Sequence, residues 1–374
     1  MRKITRRSML RAAAVAALLP AACADPTAPT GGETDENRWG ANTFLHLDSD
    51  RWRKQKTLEM AARAGLGWIK QHFPWEDIES LDKGQFLNPT WKHPTWDKYD
   101  EIVDLADENG LKIIARVDRT PAWARPEDST PTEPPADLDD FGDFVTAIVR
   151  RYRGRVRHFQ IWNEPNLAAE WGGKPPDATH YVKLLETAFS AAVGVDPETV
   201  ILAAPLAATL EMSDRARNEL VYLQQVYDVG GGDYFHIHSA NAFGLAFPPE
   251  APPDPKVLNF RRVELSRELM EQNGDRHKPI WFNEYGWNAS PPDFSASQLT
   301  WARVTEDQQA EWTVRGVEFA RENWPWAGVF NIWFLRRPFT DVDPSKSEYY
   351  FRMIDPDFTP RKVYKAVAEA ANKR

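Results

Sequence analysis

Apolar and polar positions along this chain repeat in a fixed alternation. From Trp39 onward, short runs rich in aromatic and branched residues give way to longer stretches in which apolar side chains recur every three or four positions. The first kind of run fits a strand buried on both faces and the second an amphipathic helix, so the alternation predicts βαβα units and a parallel sheet. Eight strands are expected, at Trp39–Leu45, Gly67–Phe73, Lys112–Val117, Val156–Trp162, Val200–Ala204, Tyr234–His238, Ile280–Glu284 and Gly328–Phe334. Between them, Phe141, Phe144, Val145, Ile148 and Tyr152 share one helical face, and Ala310, Val314, Val317 and Trp324 follow a capping box formed by Thr305 and Gln308. A last helix, Val363–Ala371, follows strand eight.

The connections differ by direction. Links from helix to strand are short, as in Ala64-Gly-Leu-Gly and Asn109-Gly-Leu, whereas links from strand to helix are long and rich in Pro, Trp and charge, as in Arg119–Asp137, Ala240–Lys256 and Tyr285–Val304. In a (β/α)8 TIM barrel all the long links gather at the carboxyl ends of the strands, where ligands are bound. A doubly wound open sheet would carry a glycine-rich phosphate loop after its first strand, and Asn42–Asp48 contains no glycine. The expected fold is therefore a single α/β barrel domain over residues 38–374.

Composition narrows the picture further. The chain has 374 residues, 42% apolar and 27% charged, with no apolar run near the ~20 residues needed to span a bilayer. Residues 1–22 read as an export signal: Arg6-Arg7 in Thr5–Arg11 resembles a twin-arginine signal, and the apolar run Ala12–Leu19 leads to Ala21-Ala22-Cys23. Cys23, the single cysteine, lies where a bacterial lipoprotein is cleaved and acylated, so an exported protein held at a membrane only by a lipid on Cys23 is expected. Residues 23–37 have the composition of a flexible tether. The formal charge of −9 falls to about −14 once the five basic residues of the leader are set aside. Such a surface repels phosphate backbones, which argues against nucleic acid as a partner. Sixteen Trp side chains, with flat apolar faces and a polar edge, suit the C–H faces of sugar rings. A monomer acting on carbohydrate is expected.

The chemistry lies at two strand ends. Strand four closes in Trp162-Asn163-Glu164-Pro165 and strand seven in Asn283-Glu284-Tyr285-Gly286. In a closed barrel strands four and seven face each other across the mouth, so two carboxyl groups reach one substrate atom from opposite sides. Glycoside hydrolysis needs that arrangement: one carboxylic acid protonates the leaving oxygen and one carboxylate meets the oxocarbenium-like centre, the two lying about 5–5.5 Å apart when configuration is retained. An acid held beside Trp162 away from water has a raised pKa, which separates the two roles.

On these residues the chain resembles the retaining glycoside hydrolases of clan A, most of all the family 39 and family 5 enzymes. The resemblance implies a cofactor-free and metal-free glycosidase with Glu164 as acid/base, Asn163 on the sugar 2-hydroxyl and Glu284 as nucleophile. It also implies His238 as the strand-six histidine and Trp333 as the floor of the first sugar subsite. Trp68-Ile-Lys-Gln-His-Phe-Pro-Trp75 is similar to the strand-two segment, with Lys70 where many members have arginine, and the tyrosine that usually follows the strand-six histidine is replaced by Ala240 and Asn241. Lys70, Trp75 and Trp287 join the expected substrate-binding set, and His72 or Gln71 is a candidate to support the nucleophile.

Two other classes remain open. His236 and His238, two apart on a strand, would share a face and could hold a metal for a metal-dependent hydrolase, although no His-Glu-x-x-His helix accompanies them. A barrel that binds carbohydrate without turning it over would keep the same fold and tryptophans.

Overall fold

The structure, a computed structural model, describes residues 37–299 and 301–373; the leader, Cys23 and nearly all of the tether lie outside the described residues. Eight parallel strands run in the order β5-β4-β3-β2-β1-β8-β7-β6. They are β1 (Trp39–Thr43), β2 (Trp68–His72), β3 (Lys112–Val117), β4 (His158–Ile161), β5 (Val200–Leu202), β6 (His238–Phe243), β7 (Ile280–Gly286) and β8 (Ala327–Ile332). Each is followed by a helix: α1 (Arg51–Arg63), α2 (Trp96–Glu108), α3 (Leu138–Tyr152), α4 (Ala178–Val195), α5 (Glu219–Asp228), α6 (Val263–Gln272), α7 (Glu306–Asn323) and α8 (Lys362–Ala371). Pairing of β1 with both β2 and β8 closes one side. Between β5 and β6 the ladder thins to two isolated parallel bridges, Leu202 to Ile237 and Leu206 to Ala240. The result is a (β/α)8 barrel, as the alternation predicts.

Strand side chains sort into two shells because successive residues point to opposite faces. Trp68, Ile114, Val200, Leu202, Ile237, Trp281 and Val329 form a separate apolar cluster inside the barrel. Ile69, Ile113, Phe159, Ile201, Phe282 and Phe330 join the larger cluster packed under the helices. Trp68, His158 and Trp281 fill the interior as a triangle of rings whose centroids are 4.9–5.0 Å apart. Polar side chains start the helices where the chain leaves the long loops: Asp137 accepts from Asp139 N, Asp177 from His180 N and Asn218 from Leu220 N and Val221 N. Thr305 and Gln308 form the full capping box.

One strand differs from expectation. The run Tyr234–His238 was expected to be β6, but Gly231–Tyr234 is a 3₁₀ turn and β6 begins at His238. Small and polar residues, Ser239-Ala-Asn-Ala, carry β6, so the branched-residue signal falls one turn early. Phe235 and Ile237 are nonetheless buried, in the segment that leads into the strand.

A methyl group at Gly328 would stand 2.1 Å from the Trp281 ring. Gly328→Ala is expected to lower stability by ~1–3 kcal/mol through overpacking, read as a fall in the urea midpoint at unchanged slope. An unchanged midpoint would show that the interior triangle yields freely.

Candidate active site

The carboxyl ends of the strands surround a cavity of about 600 Å³. Glu164 and Glu284 both line it, together with Asn163 and Trp333. Glu284 lies within β7, opposite Asn241 of β6 in the parallel register. Its Oε1 accepts a hydrogen bond from Lys70 Nζ at 3.1 Å, so β2 and β7 are joined by a buried ion pair. Burial lowers the Lys70 ammonium to about 8, against the pull of Glu284 that favours the proton.

Glu164 follows β4 on an unusual backbone. Trp162 has φ +73° and Glu164 φ +39°, both in the left-handed region that disfavours side chains of this size. Several hydrogen bonds hold the segment there: Trp162 N to Val117 O at 3.0 Å, Glu164 N to Pro205 O at 3.0 Å, Gln160 Nε2 to Trp162 O at 2.8 Å and Trp162 Nε1 to Glu170 O at 3.0 Å. Strain kept by surrounding bonds marks a site rather than a fold element. The Glu164 carboxyl is pushed up to about 8, first by burial, then by the negative charges of Glu284 and Glu170. Asn241 opposes the shift by donating Nδ2–H to Glu164 Oε1 at 2.6 Å, and its Oδ1 accepts from Asn283 Nδ2 at 2.9 Å. At neutral pH Glu164 therefore holds its proton beside a second carboxyl group.

A second buried network forms the neighbouring wall. Arg116 Nε donates to Asp118 Oδ2 at 2.7 Å and His72 Nε2 pairs with Asp118 Oδ1. Burial alone would raise the Asp118 carboxyl, but Arg116 and His72 hold it far below the usual carboxylate range. Burial also lowers His72, outweighing the pull of Asp118. His46 lies edge-on to His72 at 5.2 Å, and its Nδ1 is 3.0 Å from Gln71 Nε2. Arg119, Glu170, Phe44 and Arg337 complete this side of the cavity.

The expected site residues thus separate into two groups. Glu164, Glu284, Asn163 and Trp333 meet at the cavity, and Lys70 reaches it through Glu284. Asn163 Oδ1 and Trp333 Nε1 are buried without a hydrogen-bond partner among the described residues. Trp333 stands edge-on to Phe44 at 5.6 Å, just before a cis peptide bond to Phe334.

Trp75, Trp287 and His238 are elsewhere. Trp75 is fully buried against Phe144, with Nε1 donating to Glu79 Oε2 at 2.6 Å. Trp287 packs on Phe260 beneath the β6 loop, with Nε1 donating to Phe247 O at 2.8 Å. Both are indoles used as core, which residue type alone does not distinguish from sugar platforms. His238 starts β6 instead of ending it, and lines a small polar cavity behind Asn241 with Glu219, Asn259 and Arg262. His236 precedes the strand, accepts from Ile201 N at 3.0 Å and stacks on Phe189, so the two histidines do not form a metal pair. Among the described residues, no group of three or more His, Cys, Asp or Glu is placed to hold a metal. Gln71 and His72 do not support Glu284: Gln71 Oε1 accepts from Thr43 Oγ1 and Leu45 N, and His72 is committed to Asp118.

Sequence reasoning missed Asn241 as the partner of Glu164, because the misplaced strand put it in a loop. It also missed the Arg116–Asp118–His72 network. Arg116 and Asp118 flank the end of β3 two residues apart, a spacing that carries the signal in retrospect.

The Glu164 carboxyl is expected to titrate near pH 8, protonated below and ionised above. Glu284→Gln should move it down by removing a negative neighbour, whereas Asn241→Ala should move it further up. Carbon-13 NMR of labelled glutamate reads both shifts, and opposite directions would refute the coupling.

The family described as Cellulase (glycosyl hydrolase family 5) matches residues 26–209, which include Trp162–Pro165. No curated protein matches the chain in sequence. Among solved structures, a family 39 glycoside hydrolase from the gut symbiont Bacteroides cellulosilyticus is similar with a TM-score of 0.69 and 20% identity, over 90% of this chain and 63% of that one. A monomeric beta-xylosidase from Caulobacter crescentus has a TM-score of 0.61 and 17% identity, over 89% of this chain and 67% of that one. A GH5_18 protein from Streptomyces cattleya, in complex with Manb1-4GlcNAc, has a TM-score of 0.65 and 15% identity, over 90% of this chain and 80% of that one. At these identities the likenesses establish the fold. The chain spans under two thirds of the length of the family 39 structure.

Proposed function

We propose that this glycoside hydrolase of the clan A type cleaves β-glycosidic bonds of an oligo- or polysaccharide or related β-glycoside by double displacement, with retention. The observation that carries the reading is the pair of carboxyl groups on β4 and β7 lining one cavity, with the Glu164 carboxyl raised to about 8 beside Glu284.

In the first step Glu284 attacks the anomeric carbon while the Glu164 proton passes to the leaving oxygen, so the bond to the aglycone breaks as the glycosyl ester forms. Charge leaves Glu284 as it becomes an ester, which removes a principal cause of the raised Glu164 pKa. Glu164 becomes the stronger acid when it must give up its proton and then serves as base. In the second step it takes a proton from water, the water oxygen attacks the anomeric carbon, and Glu284 departs as carboxylate. Lys70 supplies positive charge beside Glu284 through both steps. Asn163 and Trp333 line the cavity beside the two carboxyl groups, where the sugar would lie. Catalysis of this kind draws ~10²- to 10⁴-fold from the acid/base alone.

With an activated aryl β-glycoside, which leaves without a proton, Glu164→Ala is expected to keep rapid release in the first turnover. With an unactivated substrate it should lose ~10²- to 10⁴-fold. Glu284→Ala should lose nearly all turnover of both. Burst kinetics on the two substrates check this, and equal losses in both variants would contradict the assigned roles. Carbohydrate binding with no turnover dependent on either glutamate would favour the non-catalytic barrel.

Export and lipid anchoring at Cys23 form part of the same proposal, supported by the composition of the leader. Cys23→Ala should move the protein from the membrane fraction to the soluble fraction on cell fractionation. Wild type found soluble would remove the anchor.

A further inference from the structure

The cavity is chemically two-sided. On the β1–β3 side its wall is polar: His46, His72, Arg116 and Arg119 line it. Around β6, the segments that follow β4 to β7 line the cavity with Leu167, Ala208, Phe243, Leu245, Leu258 and Trp301. Phe243 lies two residues beyond Asn241 on β6 and so shares its face, one step nearer the mouth than the partner of Glu164. Its ring lies 5.6 Å from Trp301. Leu167, Ala208, Leu245 and Leu258 are only partly buried and present hydrocarbon to the cavity.

Polar groups are few on this second side, Asn241 and Thr209 among them. Both ends of the Asn241 amide are bonded within the protein, and Thr209 Oγ1 accepts from Glu211 N at 3.1 Å. A sugar ring placed there would bring a rim of hydroxyls against hydrocarbon, losing water with few bonds in return. The glycone, whose hydroxyls need partners, belongs on the polar side, and the acid then delivers its proton toward the apolar side.

We propose that the leaving-group subsite of this protein is built for an apolar aglycone, an alkyl or aromatic alcohol, rather than for a second sugar. The proposal rests on the glycosidase reading and narrows its substrate to β-glycosides of apolar alcohols. Leu258 and Trp301 are its specificity-determining residues, acting on binding of the aglycone and not on the bond being broken.

The test uses one glycone throughout, chosen as the sugar whose 4-nitrophenyl β-glycoside is turned over fastest. Four substrates are compared: the glycosyl fluoride, the methyl and hexyl β-glycosides, and a β-linked disaccharide. Methanol and hexanol are alcohols of similar acidity, so their difference reads contact with the chain. Hexyl should exceed methyl at least tenfold in kcat/KM, at ~3- to 4-fold per methylene seated on the wall, and should exceed the disaccharide. In Leu258→Asn the hexyl-to-methyl ratio should fall several-fold. A disaccharide preferred over hexyl, a flat chain-length series, or an unchanged ratio in Leu258→Asn would overturn the proposal while fluoride hydrolysis leaves the glycosidase reading standing. Absence of fluoride hydrolysis, which needs neither acid nor aglycone, would remove the glycosidase reading and this proposal together.

Discussion

Two carboxyl groups that share one buried cavity repel each other, and the arrangement around them settles where the proton resides. Lys70 stands against Glu284 and Asn241 against Glu164, so the two carboxyls occupy unlike environments although both end parallel strands of one barrel. Burial and the Glu284 charge keep the proton on Glu164. The rest of the site follows from this division. The left-handed backbone at Trp162 and Glu164 presents the carboxyl where β4 ends, and bonds from β3 and the β5 loop hold that conformation in place. A strained turn of this kind costs ~1–3 kcal/mol per residue and persists only where its surroundings leave no alternative.

The Arg116–Asp118–His72 network brings a different constraint. A buried carboxylate without partners would take up a proton or unfold its surroundings, whereas Asp118 is gripped from two sides by β3 and β2 side chains. Its charge is thus fixed over the range in which Glu164 titrates, and this wall of the cavity keeps one electrostatic character while Glu164 changes state.

Much of the fold was legible because barrel strands buried on both faces and amphipathic helices write different periods, and because the long loops all follow strands. The carboxylates were legible for a local reason: Glu164 and Glu284 each sit immediately after an aromatic and apolar run, at the place where a parallel strand meets the mouth. Lys70 could be read from the same kind of position on β2. What escaped depends on information not carried by nearby residues. β6 carries small and polar side chains in place of branched ones, so its boundary was set too early and the bond from Asn241 to Glu164 went unread. Trp75 and Trp287 have the same chemistry as a sugar platform, and only packing shows that Phe144 and Phe260 cover them. His72 and Asp118 are 46 positions apart and become neighbours only when β2 and β3 pair.

The thin join between β5 and β6 gives the barrel an uneven stiffness. Glu164 belongs to the β4 bank of that seam and Asn241 to the β6 bank, so the hydrogen bond between them crosses the stretch where backbone pairing is sparsest. Their separation is governed less by a rigid ladder than by contacts of the β5 loop, such as Glu164 N on Pro205 O and Ala204 N on Tyr181 Oη. The Lys70–Glu284 pair, by contrast, joins β2 and β7 through the continuous run β2-β1-β8-β7. The proton affinity of Glu164 is thereby tied to how the β5 loop packs, and not to the sheet ladder.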